Sequence, residues 1–377
     1  LMITGKGRCN ITNACDIAAF IASVPGNGRF LYGAINRFTP QDTVAFFDKI
    51  GLSTTVERGN RVFPTSGKAV DVVDAMRRFV EKSGARLLHG RAKRLIIKSG
   101  CIHGIETEDD RRLEADAVIV ACGGKSYPLT GSTGDGYDLA RQAGHTVVPL
   151  APSLVPLVAI EEFCRDLQGL SLKNIAIRVC KNPQGQGAVV YEDFGEMLFT
   201  HFGLSGPVIL SASAHMRGME PGKYTVWIDL KPALTIEQLD ARLQRDFVKF
   251  KNRDFINSLS ELLPKKLIAV AVARSGIAPQ TKCNQITREQ RHGFAHLLKS
   301  FSVAIEGFRP IEEAIVTSGG VATAELNPKT MESKLVKGLY FAGEVIDVDA
   351  YTGGFNLQIA FSTGHLAGIS AAGGNST

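Results

Sequence analysis

Three glycine-rich stretches carry residue types whose spacing could do chemistry. The first is Thr4-Gly5-Lys6-Gly7-Arg8-Cys9-Asn10-Ile11-Thr12-Asn13, a fixed cation set among amides and hydroxyls. Gly5 and Gly7 let backbone approach a ligand closely, while Arg8, Asn10, Thr12 and Asn13 can bond a phosphate and a polar ring edge. An ordinary glycine turn capped by Asn and Thr is the plainer alternative, and the density of hydrogen-bonding groups beside Arg8 favours a ligand. The second is Ala121-Cys122-Gly123-Gly124, followed by Gly131-Ser132-Thr133-Gly134-Asp135-Gly136. Many strands end in Gly-Gly, but Gly134 and Asp135 at a helix start add N–H groups that can take an anion. A simple N-cap role for Asp135 fits equally well. The third is Gly343-Glu344-Val345-Ile346-Asp347, then Tyr351-Thr352-Gly353-Gly354-Phe355-Asn356-Leu357-Gln358. Its acid could bond a ribityl hydroxyl, and its helix start could face the electron-rich end of a flavin. A plain glycine turn docking the last helix is the weaker reading.

Two further stretches stand apart, Val316-Thr317-Ser318-Gly319-Gly320-Val321 and Phe199-Thr200-His201-Phe202-Gly203-Leu204-Ser205-Gly206-Pro207. His201 could be an acid–base residue, although a hydrogen-bonded structural role is the default for such a histidine. No residue is assigned as catalytic. Cys9 and Cys122 flank the candidate ligand loops, and both read as buried small residues, since a redox-active thiol needs a partner.

The elements that must hold these loops follow from periodicity. Amphipathic helices are expected over 40–51 and 67–84, with Gly84 as a C-cap. A β-meander is expected at 92–98, 101–108 and 112–115, turning at Ser99-Gly100. The apolar run Asp116–Ala121 reads as a strand buried on both faces, and 134–144 as a helix. Prolines at 149, 152 and 156 mark a boundary. Beyond it, 151–312 reads as an insert, β-rich over 151–234 and helical over 235–305. A strand at 338–343 and a helix at 356–372 return to the first texture. The outer pieces, 1–150 and 313–377, thus form one discontinuous α/β domain of the doubly wound, Rossmann-like kind.

Composition sets the outer limits. The 377 residues are 44% hydrophobic and 21% charged, as in a globular enzyme. The formal charge of +6 suits an enzyme of anionic dinucleotides and is too diffuse to argue for nucleic acid, which is not expected as a partner. Seven cysteines without a CxxC pair exclude a disulfide framework or zinc site as the leading reading and fit a reducing, cytoplasmic setting. No apolar run reaches the length of a membrane span.

Taken together the five stretches resemble the NAD(P)/FAD-dependent oxidoreductase family of the BaiN and YhiN type, also labelled the aminoacetone oxidase family. Matching segments also include GNRVFPTSGKAVDVVDA and GEMLFTHFGLSGPVIL. The resemblance implies non-covalent FAD in a domain split by a part-barrel, part-helical insert. It implies FAD contacts at Gly5, Gly7, Arg8, Asn10, Asn13, Ala92, Gly123, Gly124, Gly343, Glu344, Gly354, Phe355, Asn356 and Gln358, and Cys9, Thr12, Ala121, Gly134, Asp135 and Gly353 in the same loops are expected to bind the cofactor as well. The family begins with a strand, a GxGxxG turn and a ribose-binding acid, and none of these stands in this sequence. The expectation is therefore a piece cut off at its amino end. A further departure is Cys122, where the family usually has Thr.

The implied reaction moves hydride from NAD(P)H through FAD to a small unsaturated or carbonyl acceptor, or to dioxygen. A flavoprotein of the succinate dehydrogenase and fumarate reductase type is the near alternative. It needs an arginine–histidine clamp, for which Arg217 with His201 or His215 are the candidates. An RNA-binding flavoprotein with a basic insert, and a non-catalytic remnant, are readings of other classes.

Overall fold

A computed structural model of the chain describes residues 7–181 and 187–373. The first strands, β1 (Thr12–Asn13), β2 (Thr54–Glu57) and β3 (Arg61–Pro64), form an antiparallel sheet in the order β1-β3-β2. Helices Pro40–Lys49 and Ala69–Lys82 accompany it, within the expected spans. The first opens at a capping box: the Thr39 hydroxyl accepts the Asp42 N–H and the Asp42 carboxylate accepts the Thr39 N–H, at 3.1 and 2.8 Å. Phe47, Val72 and Ala75 bury their helix faces together with Cys9 and Ile11.

The meander follows as β4 (Ala92–Lys98), β5 (Cys101–Thr107) and β6 (Arg112–Glu114). Ser99 and Gly100, with φ of 51° and 74°, make the tight turn between the first two strands. Strand β7 (Val118–Val120) is shorter than expected and is not buried on both faces. Only Val120 is fully enclosed, and Ile119 is 38% exposed. The cause is pairing: among the described residues β7 has a single sheet neighbour. Helix Asp135–Gln142 and strand β8 (Val147–Ser153) complete this stretch.

Residues 154–309 form a compact unit of their own, and 1–153 with 310–377 form the other. Six strands close into a barrel: β9 (Leu157–Ala159), β10 (Ser171–Lys181), β11 (Val189–Thr200), β12 (Gly203–Ser205), β13 (Tyr224–Asp229) and β14 (Phe301–Phe308), in the order β10-β11-β12-β9-β14-β13. Alternate residues such as Ile175, Ile177, Val226, Ile228, Val303 and Ile305 are buried in one apolar core. Helices Ile236–Lys249, Lys265–Ser275 and Arg288–Lys299 add Leu243, Phe247, Leu267 and Phe294 to it. The span read as helical therefore ends at Lys299, and Phe301–Phe308 is the strand that pairs with both β9 and β13 to shut the barrel.

The chain re-enters the first unit as β15 (Val316–Val321), antiparallel to β8, and β16 (Leu339–Phe341), parallel to β7. The last helix, Phe355–Ala371, buries Ile359, Leu366 and Ala367 in the core that holds Leu31, Ile35 and Phe341. The architecture is mixed α/β: a Rossmann-like domain with a meander, carrying a closed barrel and helices as an insert.

Candidate functional site

A cleft of about 660 Å³ opens in the first unit. Its walls come from the loop ahead of β1 (Arg8, Cys9, Asn10), the end of β7 (Ala121, Gly123) and the turn past β16 (Ala342, Gly343, Glu344). The loop Gly353-Gly354 and the first turns of the last helix (Asn356, Leu357, Ile359, Ala360) supply another wall. The three glycine-rich stretches thus converge on one cavity.

Contacts between the stretches explain how. The Asn13 amide donates to the Gly59 and Gly353 carbonyls at 3.1 and 3.0 Å. The Thr12 hydroxyl donates to Gln358 Oε1 at 2.5 Å. Gly354 adopts φ of 98°, and a Cβ there would lie 2.8 Å from the Thr12 Cα and closer still to its carbonyl. Glycine at 354 is thus demanded by backbone crossing backbone.

Glu344 sits at the centre of a second knot. Its Oε1 accepts the Thr317 N–H at 2.8 Å and the Ser126 hydroxyl at 3.3 Å. Thr317 Oγ1 in turn accepts the N–H groups of Lys125 and Ser126 at 2.8 and 3.2 Å. Gly124 has no room for a side chain, because a Cβ would meet the Glu344 carboxylate. Burial pushes the Glu344 carboxyl up, against the pull of the Thr317 and Ser126 bonds.

Several expected contact residues are placed elsewhere. Gly7, Thr12, Asn13, Ala92, Gly124, Gly134, Asp135, Phe355 and Gln358 are not among the cleft's lining residues, and Gly5 lies outside the described residues. Gln358 is fully buried and spends its amide on the Phe38 carbonyl and the Ser362 hydroxyl, at 3.1 and 2.9 Å. Asn356 lines the cleft, but its amide is tied to both backbone groups of Ala350. Asp135 is the first residue of its helix and Gly134 the N-cap; the Asp135 carboxylate pairs with Arg91, Nε to Oδ2 2.6 Å, which holds it below the usual carboxylate range. Phe355 packs edge-on against Phe20.

Cys9 is buried and its thiol is pushed up to about 11 by that burial. Cys122, expected to be buried, is exposed, two residues past the end of β7. His201 lies in the β11–β12 turn, exposed, with its ring edge-on to Phe202. His215 stacks on Tyr191.

Sequence reasoning missed part of the lining. Arg61 and Phe63 come from β3, Ser126, Tyr127 and Thr130 from the segment between Gly124 and Gly131, and Ser132 from the stretch just after it. Tyr127 holds φ of 50° directly before Pro128, a strained setting for a non-glycine residue. The alternation in Arg61-Val62-Phe63 beside the first loop was the available signal.

One polar atom beside the cleft is left over. Asn10 lines the cleft, and its buried Oδ1 has no hydrogen-bond partner among the described residues. Such an acceptor is costly unless a ligand donor meets it. Gly364, on the last helix, also lines the cleft, and a Cβ built there meets nothing within 4 Å. Both features fit a large polar-edged cofactor.

The fold and cleft define a Rossmann-like nucleotide-cofactor protein. The chain belongs to the HI0933-like protein Rossmann domain family, an FAD-binding oxidoreductase family, which it matches over residues 1–370. It is 32% identical to the 3-dehydro-bile acid delta(4,6)-reductase of Clostridium scindens over 99% of this chain and 89% of that protein. It is 30% identical to the ribosomal RNA dihydrouridine synthase of Haemophilus influenzae, over 98% and 88% of the two chains. The enzyme of the same name from Escherichia coli is 29% identical, over 96% and 86%. Among solved structures, a quinol fumarate reductase FrdA mutant from E. coli is similar at 15% identity and a TM-score of 0.47, covering all of this chain and 64% of that one. No helix among the described residues is long and apolar enough to cross a membrane.

Proposed function

We propose that this protein is a flavin-dependent reductase that holds FAD non-covalently in the cleft and uses NAD(P)H, in the cytoplasm, to saturate a carbon–carbon double bond in an organic acceptor. The observation that carries the reading is the convergence of three glycine-rich loops on one cleft of cofactor size, lined by Asn10, whose buried Oδ1 has no hydrogen-bond partner among the described residues. FAD bound there supplies a two-electron carrier that takes hydride from one substrate and gives it to another. The protein's own residues bind and orient it. Asn10 accepts a donor from the cofactor's polar edge. Glu344, held by Thr317 and Ser126, accepts a sugar-chain hydroxyl. The free N–H groups that open the last helix, from Phe355 to Leu357, face developing negative charge. Arg8, Cys9, Ala121, Gly123, Gly343, Gly353, Gly354 and Asn356 form the remaining wall. Gly7, Thr12, Asn13, Gly124 and Gln358 act one layer behind, by fixing the loops.

The choice of acceptor is supported by two relatives' names, which both describe saturation of carbon–carbon double bonds. The test is anaerobic reduction of the purified protein. Denaturation should release its yellow colour as free FAD, and NADH or NADPH should bleach the bound flavin. A colourless protein that takes up no FAD would sink the reading.

An RNA acceptor is a second reading, favoured by charge placement. Residues 154–309 hold 20 Lys and Arg against 15 Asp and Glu, so +5 of the chain's +6 resides in the barrel unit. RNA binding that weakens steeply with salt and is lost without this unit would select it.

A further inference from the structure

The cleft has a cationic corner that the reading above leaves unused. Arg61 and Phe63 are two residues apart on β3, so their side chains leave the same face of the strand. Glu57 on β2 is the direct cross-strand neighbour of Arg61. Arg8 arrives from the loop ahead of β1, its guanidinium 4.0 Å from the Phe63 ring centre, and that of Arg61 lies 5.8 Å from the same centre. Both cations share one acid. Arg8 pairs with Glu57 Oε1, and Arg61 Nη2 is 4.0 Å from Oε2. Among the described residues no other ion pair to either arginine is present.

Two guanidinium groups against one carboxylate leave one net positive charge at the cleft wall. Arg8, Arg61 and Phe63 all line that wall. Each guanidinium has five N–H donors, and among the described residues Arg61 spends only its Nε–H elsewhere, on the Arg58 carbonyl at 3.0 Å. A planar donor fork lying on an aromatic face matches the two oxygens of a carboxylate or a phosphate. Phe63 is buried beneath them, which fixes the forks in place.

We propose that the Arg8–Arg61–Phe63 corner binds an oxyanion of the acceptor, so the enzyme selects negatively charged acceptors over neutral ones. The proposal rests on the cleft being the reaction site. Arg61 is the residue that separates it from the cofactor reading, because Arg8 is already assigned to the cofactor wall.

The test uses calorimetry on the purified protein with two matched pairs of probes: cholate against its methyl ester, and uridine 5′-monophosphate against uridine. The charged member of at least one pair should bind about tenfold or more tightly than its neutral partner. The pair that shows the preference tells a carboxylate from a phosphate. Arg61→Gln should erase the preference, Arg61→Lys should keep part of it, and thermal melting should show both variants folded. In the wild type the preference should shrink as salt is raised, a readout that stands if Arg61→Gln fails to fold. Equal binding of charged and neutral members, a preference untouched by Arg61→Gln or by salt, or no binding of any probe overturns the proposal. Heats of binding need no flavin. A colourless protein that still discriminates sinks the cofactor reading alone, and a yellow one that does not discriminate sinks this proposal alone.

Discussion

At the scale of single residues, His145 shows how a buried titratable group ties stability to pH. Its Nε2 is 2.7 Å from the Ser333 hydroxyl and its Nδ1 is 2.9 Å from Glu325. Ser333 Oγ also accepts the N–H groups of Leu335 and Val336, so its own proton points at His145. Nε2 is then the acceptor and Nδ1 carries the hydrogen. Burial lowers the pKa of this ring from its usual 6.5, with Glu325 opposing. The folded state therefore keeps His145 neutral while the unfolded chain takes up a proton. Stability from this group is complete above pH 6.5 and is lost as pH falls below that value toward the folded pKa. Urea denaturation of the wild type should show a slope of up to about 1 kcal/mol per pH unit there, and His145→Gln should flatten it. An unchanged slope in the variant would assign the effect to other groups. Nothing in the spacing of Gly144-His145-Thr146 pointed to this relay, because its partners lie 180 and 188 positions away.

At the scale of elements, the last helix separates two kinds of glycine. Gly354 combines φ of 98° with backbone contact to Thr12, so Gly354→Val is expected to cost on the order of 3 kcal/mol or more and to impair folding itself. Gly364 has ordinary helical backbone and open space beyond it. Gly364→Ala should stabilise the protein by roughly 0.5–1 kcal/mol, while Gly364→Leu should lower the flavin-to-protein ratio several-fold without lowering the melting temperature. Full flavin content in Gly364→Leu would place the cofactor elsewhere. Strand β15 offers a second contrast. Thr317→Val strands the N–H groups of Lys125 and Ser126, a loss of about 2–3 kcal/mol by denaturant titration. Thr317→Ser, which keeps the oxygen, should recover most of it, and equal losses in the two variants would remove the hydroxyl from the account. Helix spans and the meander were legible because amphipathic period and turn residues are local signals. The three loops stood out because glycine pairs fell beside clustered amides, hydroxyls and an acid, although no single pair was distinctive, and they line one cleft. Which side of the wall each residue occupies was not legible: the Asn356 amide bonds the Ala350 backbone, and that of Gln358 bonds the Phe38 carbonyl and the Thr12 and Ser362 hydroxyls. β14 was hidden because its short alternation follows directly on helix Arg288–Lys299.

At the scale of the whole molecule, each unit has apolar core clusters of its own among the described residues. Every member of the largest core cluster lies between Leu157 and Ile305, inside the barrel unit, whereas the other two clusters belong wholly to the outer unit. Residues 154–309, expressed alone, should therefore unfold cooperatively in a single transition, monitored by circular dichroism and by Trp227 fluorescence. A broad, non-cooperative melt would show that the unit borrows stability from the rest of the chain. The outer unit is made of two segments, and it closes only after both have been synthesised. Its charge is nearly balanced, with 23 Lys and Arg against 22 Asp and Glu, so salt should affect binding to the barrel unit far more than the stability of the outer one.

The two ends of the barrel unit meet at one place. The Arg309 N–H bonds the Pro156 carbonyl at 3.0 Å, and Phe308 faces Leu157 in the β9–β14 register. Tension applied through the outer unit would enter the barrel at these adjacent ends. It would load the β9–β14 ladder one hydrogen bond at a time, as a zipper is opened, and would not shear all the bonds together. A protein anchored for single-molecule pulling at residues 154 and 309 should yield at low force, with the barrel peeling from this seam. The same protein anchored instead at Ser171 and Val189, at opposite ends of the long strands β10 and β11, should resist more strongly, because there the bonds of an extended ladder share the load.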